Sequence, residues 1–310
     1  MEKKAFHKDI VIIGAGMAGL TAALYAGRMN LSTLVLENGL VGGQIANAVS
    51  IENYPGFESI SGGELIATLQ SQAENFGAVI DEFDTIVKVT LNATPKIIET
   101  EEKIYTCDAV IIASGMNRRK LPLPEEKIFA GRGVHYCEMC DGHAYQDKII
   151  AVMGGGNAAV DAANFLTKYA KKLYLIHRSE LRADEVSQKR LRQNKKVEVL
   201  LQTEIKKLHG NGRLESIDIF DKISGEEKNI FVDGIFVNIG VTPNTQLFSD
   251  EINLNPNGRI IAGEDCRTNI AGVFAAGDVR EKEIRQLTTA ASDGTTAALL
   301  AEKFIRSLNR

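Results

Sequence analysis

A short apolar run that breaks into closely spaced glycines and then into a helix-forming stretch leaves a chain few folds to choose from, and this chain carries that pattern twice. Residues 9–13 read DIVII, a β-branched run of the kind that forms a buried parallel strand. Gly14-Ala15-Gly16-Met17-Ala18-Gly19 follows at once, then the helix-like LTAALYAGRM and a second strand, STLVLE, ending at Glu37. Such glycines permit a tight turn, let backbone amides approach a pyrophosphate and let the helix lie close to the strand. Glu37 stands 23 residues after Gly14, where a carboxylate can accept from the ribose diol of an ADP moiety.

The pattern returns 140 residues later: KIIAVM, Gly154-Gly155-Gly156-Asn157-Ala158-Ala159, the helix-like AVDAANFLTKYA and the strand KLYLIHR. Ala159 replaces the third glycine, and small size is what helix-to-strand packing needs there. The second strand of this copy ends in His177-Arg178, with Arg182 nearby, instead of an acid. Cationic side chains at that place can hold a 2′-phosphate. One copy therefore suits an unphosphorylated ribose and the other suits NADPH, the alternative being surface arginines without a ligand.

Between the copies lies GRGVHYCEMCDGHAY, in which Cys137 and Cys140 are separated by two residues and followed by Asp141. That spacing can close a small reducible disulfide in which one sulfur attacks and the other leaves. Asp141 is placed to move the accompanying proton. A zinc site is the rival, since His135, Cys137, Cys140 and His143 put four donor types within nine residues. Four ligands so close in sequence strain tetrahedral closure, which weakens that reading. Of the other cysteines, Cys107 sits in a strand-like run and reads as a buried small hydrophobe, whereas Cys266 lies in a loop-like GEDCRTN as an incidental thiol.

Composition narrows the partners. A length of 310 residues favours two domains. The net charge of −4 speaks against a nucleic-acid partner. The densest basic run, QKRLRQNKK from Gln188, has helical spacing and reads as a solvated helix face. The longest early apolar run, Ile10 to Ile13, is far too short for a signal-peptide core or a membrane span, so a cytoplasmic location is expected. In a reducing compartment a close cysteine pair is more often catalytic than structural.

The ordered set GAGMAG, VGGQ, IENYPG, IASG, CEMCDG, GGGNAA, AAGDV and RQLTTAASDG spans nearly the whole chain and closely resembles the low-molecular-weight thioredoxin reductases, within the FAD-dependent pyridine nucleotide-disulfide oxidoreductases. The resemblance implies an α/β fold of two Rossmann-like (three-layer ββα) dinucleotide-binding domains, the second inserted into the first. Residues 1–118 and 246–310 would form a discontinuous FAD domain, and 119–245 an NAD(P)H domain carrying the cysteine pair. The crossings would be exposed connectors near Asn117 to Lys120 and Pro243 to Gln246, acting as hinges for a rotation that alternates nicotinamide and dithiol at the flavin.

It further implies that Gly14, Gly16 and Gly19 cradle the FAD pyrophosphate and that Glu37 holds the ribose. Gly42, Gly43, Gln44, Asn53, Gly115, Arg285 and Gln286 would line the region toward the flavin, with Gly277 and Asp278 at the ribityl chain. Gly154, Gly156, Asn157, Ala158, His177, Arg178 and Arg182 would bind the nicotinamide nucleotide. Cys140 would face the flavin, Cys137 would attack the disulfide of thioredoxin or a related small protein, and Asp141 would be the acid/base. A homodimer is also implied. One departure stands out: His177-Arg178-Ser179-Glu180-Leu181-Arg182 is one arginine poorer and one residue shorter than the NADPH-binding pattern of the family, which leaves NADH or ferredoxin open as donor.

Overall fold

In the computed structural model, which describes residues 3–46, 48 and 51–308, the chain divides into two compact units. Unit 1 comprises residues 1–117 and 242–310, and unit 2 comprises residues 118–241. In chain order, unit 1 begins with β1 (Lys4–Ile13), α1 (Met17–Arg28), β2 (Thr33–Glu37), α2 (Gly62–Asn75), β3 (Val79–Glu82), β4 (Ile86–Thr90), β5 (Lys96–Thr100) and β6 (Lys103–Ile112). β7 (Met116–Arg118) leads out of it. Unit 2 follows with α3 (Glu126–Phe129), β8 (Val134–His135), α4 (Glu138–Asp141), β9 (Ile149–Met153), α5 (Asn157–Leu166), β10 (Lys172–Ile176), α6 (Glu185–Gln193) and β11 (Val197–Leu200). Then come β12 (Thr203–His209), β13 (Ser216–Asp221), β14 (Glu227–Phe231) and β15 (Gly234–Val237). β16 (Val241–Pro243) returns to unit 1, which closes with β17 (Val273–Ala275) and α7 (Leu287–Leu308).

In unit 1 the parallel order is β3-β2-β1-β6, and β6 changes neighbours along its length. Its first half pairs antiparallel with β5, which pairs with β4, while its second half pairs parallel with β17. Alternation decides the faces. Ile10 and Ile12 pack under α1, α2 and α7, whereas Val11 and Ile13 pack on the opposite face against Phe248 and Ile260. β1 must therefore be apolar at every position from 10 to 13, and each such buried side chain contributes roughly 1.5–3 kcal/mol.

Unit 2 repeats the plan as a parallel sheet, β11-β10-β9-β15-β8, beside an antiparallel β12-β13-β14. Ile150 and Val152 pack against α5 and Ala151 packs on the other face.

Two expectations are corrected. The connector near Pro243 to Gln246 is not exposed: Pro243 and Thr245 are buried, and Asn244 is fastened to Ser114 by a hydrogen bond in each direction (2.7 and 2.8 Å). The basic stretch from Gln188 is helical only to Gln193, because Asn194 turns the chain and its Oδ1 accepts the Lys196 amide at 3.0 Å. None of the helices of the described residues is long and apolar enough to cross a membrane.

Candidate active site

The three glycines of the first cradle do three different jobs. Gly14 takes φ +104°, a conformation that favours glycine. A side chain at Gly19 would overlap the carbonyl oxygen of Gly14, so α1 can lie on the turn only without one. At Gly16 a Cβ would meet nothing within 4 Å, so the backbone here borders open space. Gly16 is also the N-cap of α1, with no side-chain cap and no acid in the first turn. By contrast, α2 closes its own N-terminus with a Ser61–Glu64 capping box. The uncapped amides of α1 thus present partial positive charge to a space that suits a pyrophosphate.

Glu37 is locked at the rim of this cradle. Its Oε2 accepts the Ala15 amide at 2.8 Å and its Oε1 accepts the Gly39 amide at 3.2 Å. Gly42 donates its amide to the Ala15 carbonyl at 3.0 Å, and a Cβ on Gly43 would lie 3.5 Å from the Cα of Gly16. Gln44 donates to the carbonyl of Met116, just past Gly115, where a Cβ would again meet nothing within 4 Å. Asn53 donates to the Gln286 side chain at 3.3 Å. Gly277 and Asp278 form a short turn between β17 and α7. The Nε of Arg285 is buried and finds no hydrogen-bond partner among the described residues. Burial and the nearby Arg259 charge push the Arg285 guanidinium below its ordinary range, with Asp278 opposing. An orphaned buried donor beside an open glycine cradle fits a bound dinucleotide.

Sequence reasoning missed what holds the α7 end of this site. Arg280, 1 % exposed, grips Asp293 with two hydrogen bonds (2.9 and 2.8 Å), and Lys282 adds a third at 2.8 Å. Asp293 in turn accepts the Gly277 amide at 2.9 Å. Burial pushes the Asp293 carboxyl up, but the hydrogen bonds from Arg280 and Lys282 outweigh it and hold the group below the usual range. The one available signal was an acid beside glycine in the otherwise apolar AASDG. Cys266 belongs here too. Its thiol is fully buried, contrary to an incidental loop cysteine, and lies 3.6 Å from the Asp293 carbonyl. Cys107 is likewise buried, and burial pushes both thiols up to about 12.

The cradle of unit 2 is built the same way. Gly154 takes φ +146°, Gly156 borders open space and N-caps α5 without a side-chain cap, and Asn157 and Ala158 are exposed in the first turn. The difference lies at the strand end, where the His177 ring sits so close to Gly155 that any Cβ there would overlap it. Burial, then Arg182 and Arg178, push the His177 imidazole below its ordinary range, which leaves it neutral at pH 7. Glu180 accepts from Gln202 at 3.2 Å and Asp184 from Asn157 at 2.9 Å. Arg178 and Arg182 are exposed, and among the described residues neither guanidinium forms an ion pair with a carboxylate.

Cys137 and Cys140 are joined in a disulfide, with Cα atoms 5.3 Å apart. In that bond neither sulfur is a thiolate, the form that ligates zinc. Cys137 caps α4, its sulfur accepting the Cys140 amide at 3.2 Å. Gly142 follows Asp141 because a side chain there would press on Leu166 of α5. Asp141 Oδ1 lies 3.4 Å from His135 Nδ1, and His135 Nε2 lies 2.6 Å from the Tyr145 hydroxyl. Burial and the Asp141 charge push the Tyr145 phenol up to about 12, so it stays protonated, and the direction of its bond with Nε2 follows the imidazole tautomer. In the tautomer with its proton on Nδ1, His135 turns that proton to Asp141 and accepts from Tyr145 at Nε2. Spacing offered His135 only as one donor of the disfavoured zinc site; the sheet register that sets its ring against Phe236 is not revealed by spacing.

Two uncapped glycine cradles and a redox-capable disulfide define a nucleotide-dependent disulfide oxidoreductase, and comparison with known proteins agrees. Residues 8–294 match the family described as pyridine nucleotide-disulphide oxidoreductase, and the chain belongs to that family. It is 51 % identical over 304 residues to the "34.2 kDa protein in rubredoxin operon" of Clostridium pasteurianum, covering 98 % of this chain and 99 % of that one. It is 41 % identical over 302 residues to the thioredoxin reductase of Bacillus subtilis (strain 168), covering 97 % and 95 %. The solved thioredoxin reductase from Streptococcus pyogenes MGAS5005 superposes with a TM-score of 0.92 at 38 % identity, covering 97 % of this chain and 99 % of that one.

Proposed function

We propose that this protein is a flavin-dependent thioredoxin reductase that takes electrons from NADPH, and that it works as a cytoplasmic homodimer. The carrying observation is the Cys137–Cys140 disulfide with Asp141 and the His135–Tyr145 pair beside it, in a chain that offers two open dinucleotide cradles. FAD in the unit 1 cradle would supply a ring able to accept a hydride from a nicotinamide and to reduce a disulfide.

The chain's own residues do the rest. Gly14, Gly16 and Gly19 with the α1 amides would hold the pyrophosphate, Glu37 the ribose, and Arg285, Gln286, Gly277 and Asp278 the flavin end. Arg178 and Arg182, without an ion pair among the described residues, favour a 2′-phosphate, and hence NADPH over NADH. Once the disulfide is reduced, the Cys140 amide favours negative charge on the Cys137 sulfur. Cys137 would attack the thioredoxin disulfide and form a mixed disulfide. Cys140 would then displace it, releasing dithiol thioredoxin and re-forming the internal bond. Asp141, oriented by His135, would carry the proton each exchange requires.

The test is turnover of the purified yellow protein with NADPH and oxidised thioredoxin, with new thiols counted. Turnover is expected to vanish in Cys137→Ser and in Cys140→Ser. Undiminished turnover in either variant, or a protein that binds no flavin, overturns the proposal.

A further inference from the structure

β6 hands its neighbour over from β5 to β17 in mid-strand: Lys96 at the start of β5 faces Cys107, and pairing with β17 begins only at Val110. A fork in a sheet leaves a gap. Here the gap is a cavity of about 300 Å³, bounded by Leu91, Pro95, Ile270, Phe304 and Leu308 and reached by Lys96 and Asp108. It lies within unit 1 at the start of β17, whereas Gly277 and the cradle follow the end of that strand.

Lys96 makes this gap more than a packing fault. The residue is only 5 % exposed, yet among the described residues its ammonium has no hydrogen bond and no ion pair; the Phe304 ring centroid lies 5.7 Å from the nitrogen, and Cys107 and Asp108 are near enough to act on its charge. A lysine is almost never buried without a partner. Asp108 does not fill that role, lying beyond ion-pair distance; its carboxylate is instead within 4.8 Å of donor atoms of His7 and Asp9. The two asparagines at the cavity are already engaged. Asn92 donates to Glu251 at 2.9 Å, and Asn269 bonds the Asn253 amide and the Glu251 carbonyl, both at 2.9 Å. Glu251 thereby fixes both loops that flank the opening.

We infer that this cavity is a ligand site for a small carboxylic acid with an apolar body, its carboxylate paired with Lys96 and its body against Phe304, Leu91 and Ile270. The volume sits at the small end of ligand pockets, which suits a single ring or a branched chain. Burial pulls the Lys96 ammonium below the usual lysine range while Cys107 and Asp108 oppose, so an incoming carboxylate would offset the cost of keeping that charge buried.

The probe is benzoate, with benzamide as its neutral counterpart, added to the full-length flavin-loaded protein carrying isotopically dimethylated lysines. Benzoate is expected to shift the Lys96 NMR signal saturably, and benzamide to leave it in place. Binding followed by calorimetry should weaken by about tenfold or more in Lys96→Met, the loss expected for a charge-assisted pair. Ala271→Trp, an exposed change beside the opening that keeps Lys96, should abolish it as well, and both variants should retain thioredoxin reduction. Equal shifts from benzoate and benzamide, no saturable shift, or undiminished affinity in Lys96→Met would overturn the inference.

Discussion

Glu37 and His177 occupy the same station in two copies of one design. Gly14 donates its amide to Leu36 and Gly154 donates to Ile176, so the next residue in each copy stands at the mouth of its cradle. In unit 1 that residue is an acid that accepts the Ala15 amide. In unit 2 it is an imidazole lying flat in the space a side chain at Gly155 would need. In the proposed reading an anionic rim would favour a diol over a 2′-phosphate, and a ring flanked by two guanidiniums without an ion pair among the described residues would favour the reverse. The second difference is structural. Unit 1 anchors its far end with the buried Arg280–Asp293–Lys282 cluster, and among the described residues unit 2 has no ion pair so deeply buried.

That contrast can be broken at several points. The largest effect is expected from Asp293→Asn, which removes the buried counter-ion of Arg280 and Lys282, leaves Arg280 only the exposed Glu264, and should cost about 3–5 kcal/mol in a urea titration, with loss of flavin. Its acid dependence has a definite sign. A carboxyl held below its unfolded value stabilises the fold above that value and loses its contribution as pH falls through the folded one. The wild-type protein should therefore lose stability more steeply than the variant below about pH 4, where the other lowered carboxyls act in both.

Next, Arg178→Ala with Arg182→Ala should raise KM for NADPH by about tenfold to a hundredfold while that for NADH stays within about twofold. An equal rise for both donors would assign these arginines to the pyrophosphate instead. Smaller is the glycine exchange. Gly19→Ala should destabilise by about 1–3 kcal/mol because its methyl meets the Gly14 carbonyl, whereas Ala159→Gly in the other copy should cost about 1 kcal/mol or less, both read from thermal unfolding. Last, His135→Phe should lower kcat by about tenfold with KM for NADPH unchanged, since it unfastens Asp141 without touching the cradle.

Most of this architecture was legible because it is written in short range. Strand, glycines, helix and strand are contiguous, and a buried strand announces itself by an unbroken apolar run. The thiol pair is equally local. What escaped reading is what topology assembles from afar. Arg280 and Lys282 look like surface residues until β17 and α7 fold them onto Asp293, and Lys96 looks like any strand-end lysine until β6 changes partners beside it. Cys266 was misjudged for the same reason: a loop of polar residues is covered only by a helix that comes later in the chain.

The exchange of neighbours along β6 also has a consequence for biogenesis. While the ribosome is still delivering unit 2, the second half of β6 displays unsatisfied backbone groups, because the strand that completes it has yet to emerge. A nascent chain stopped before Val273 should thus carry a finished second unit and an open-edged first one, a sticky species for which prompt synthesis of the final stretch is the remedy.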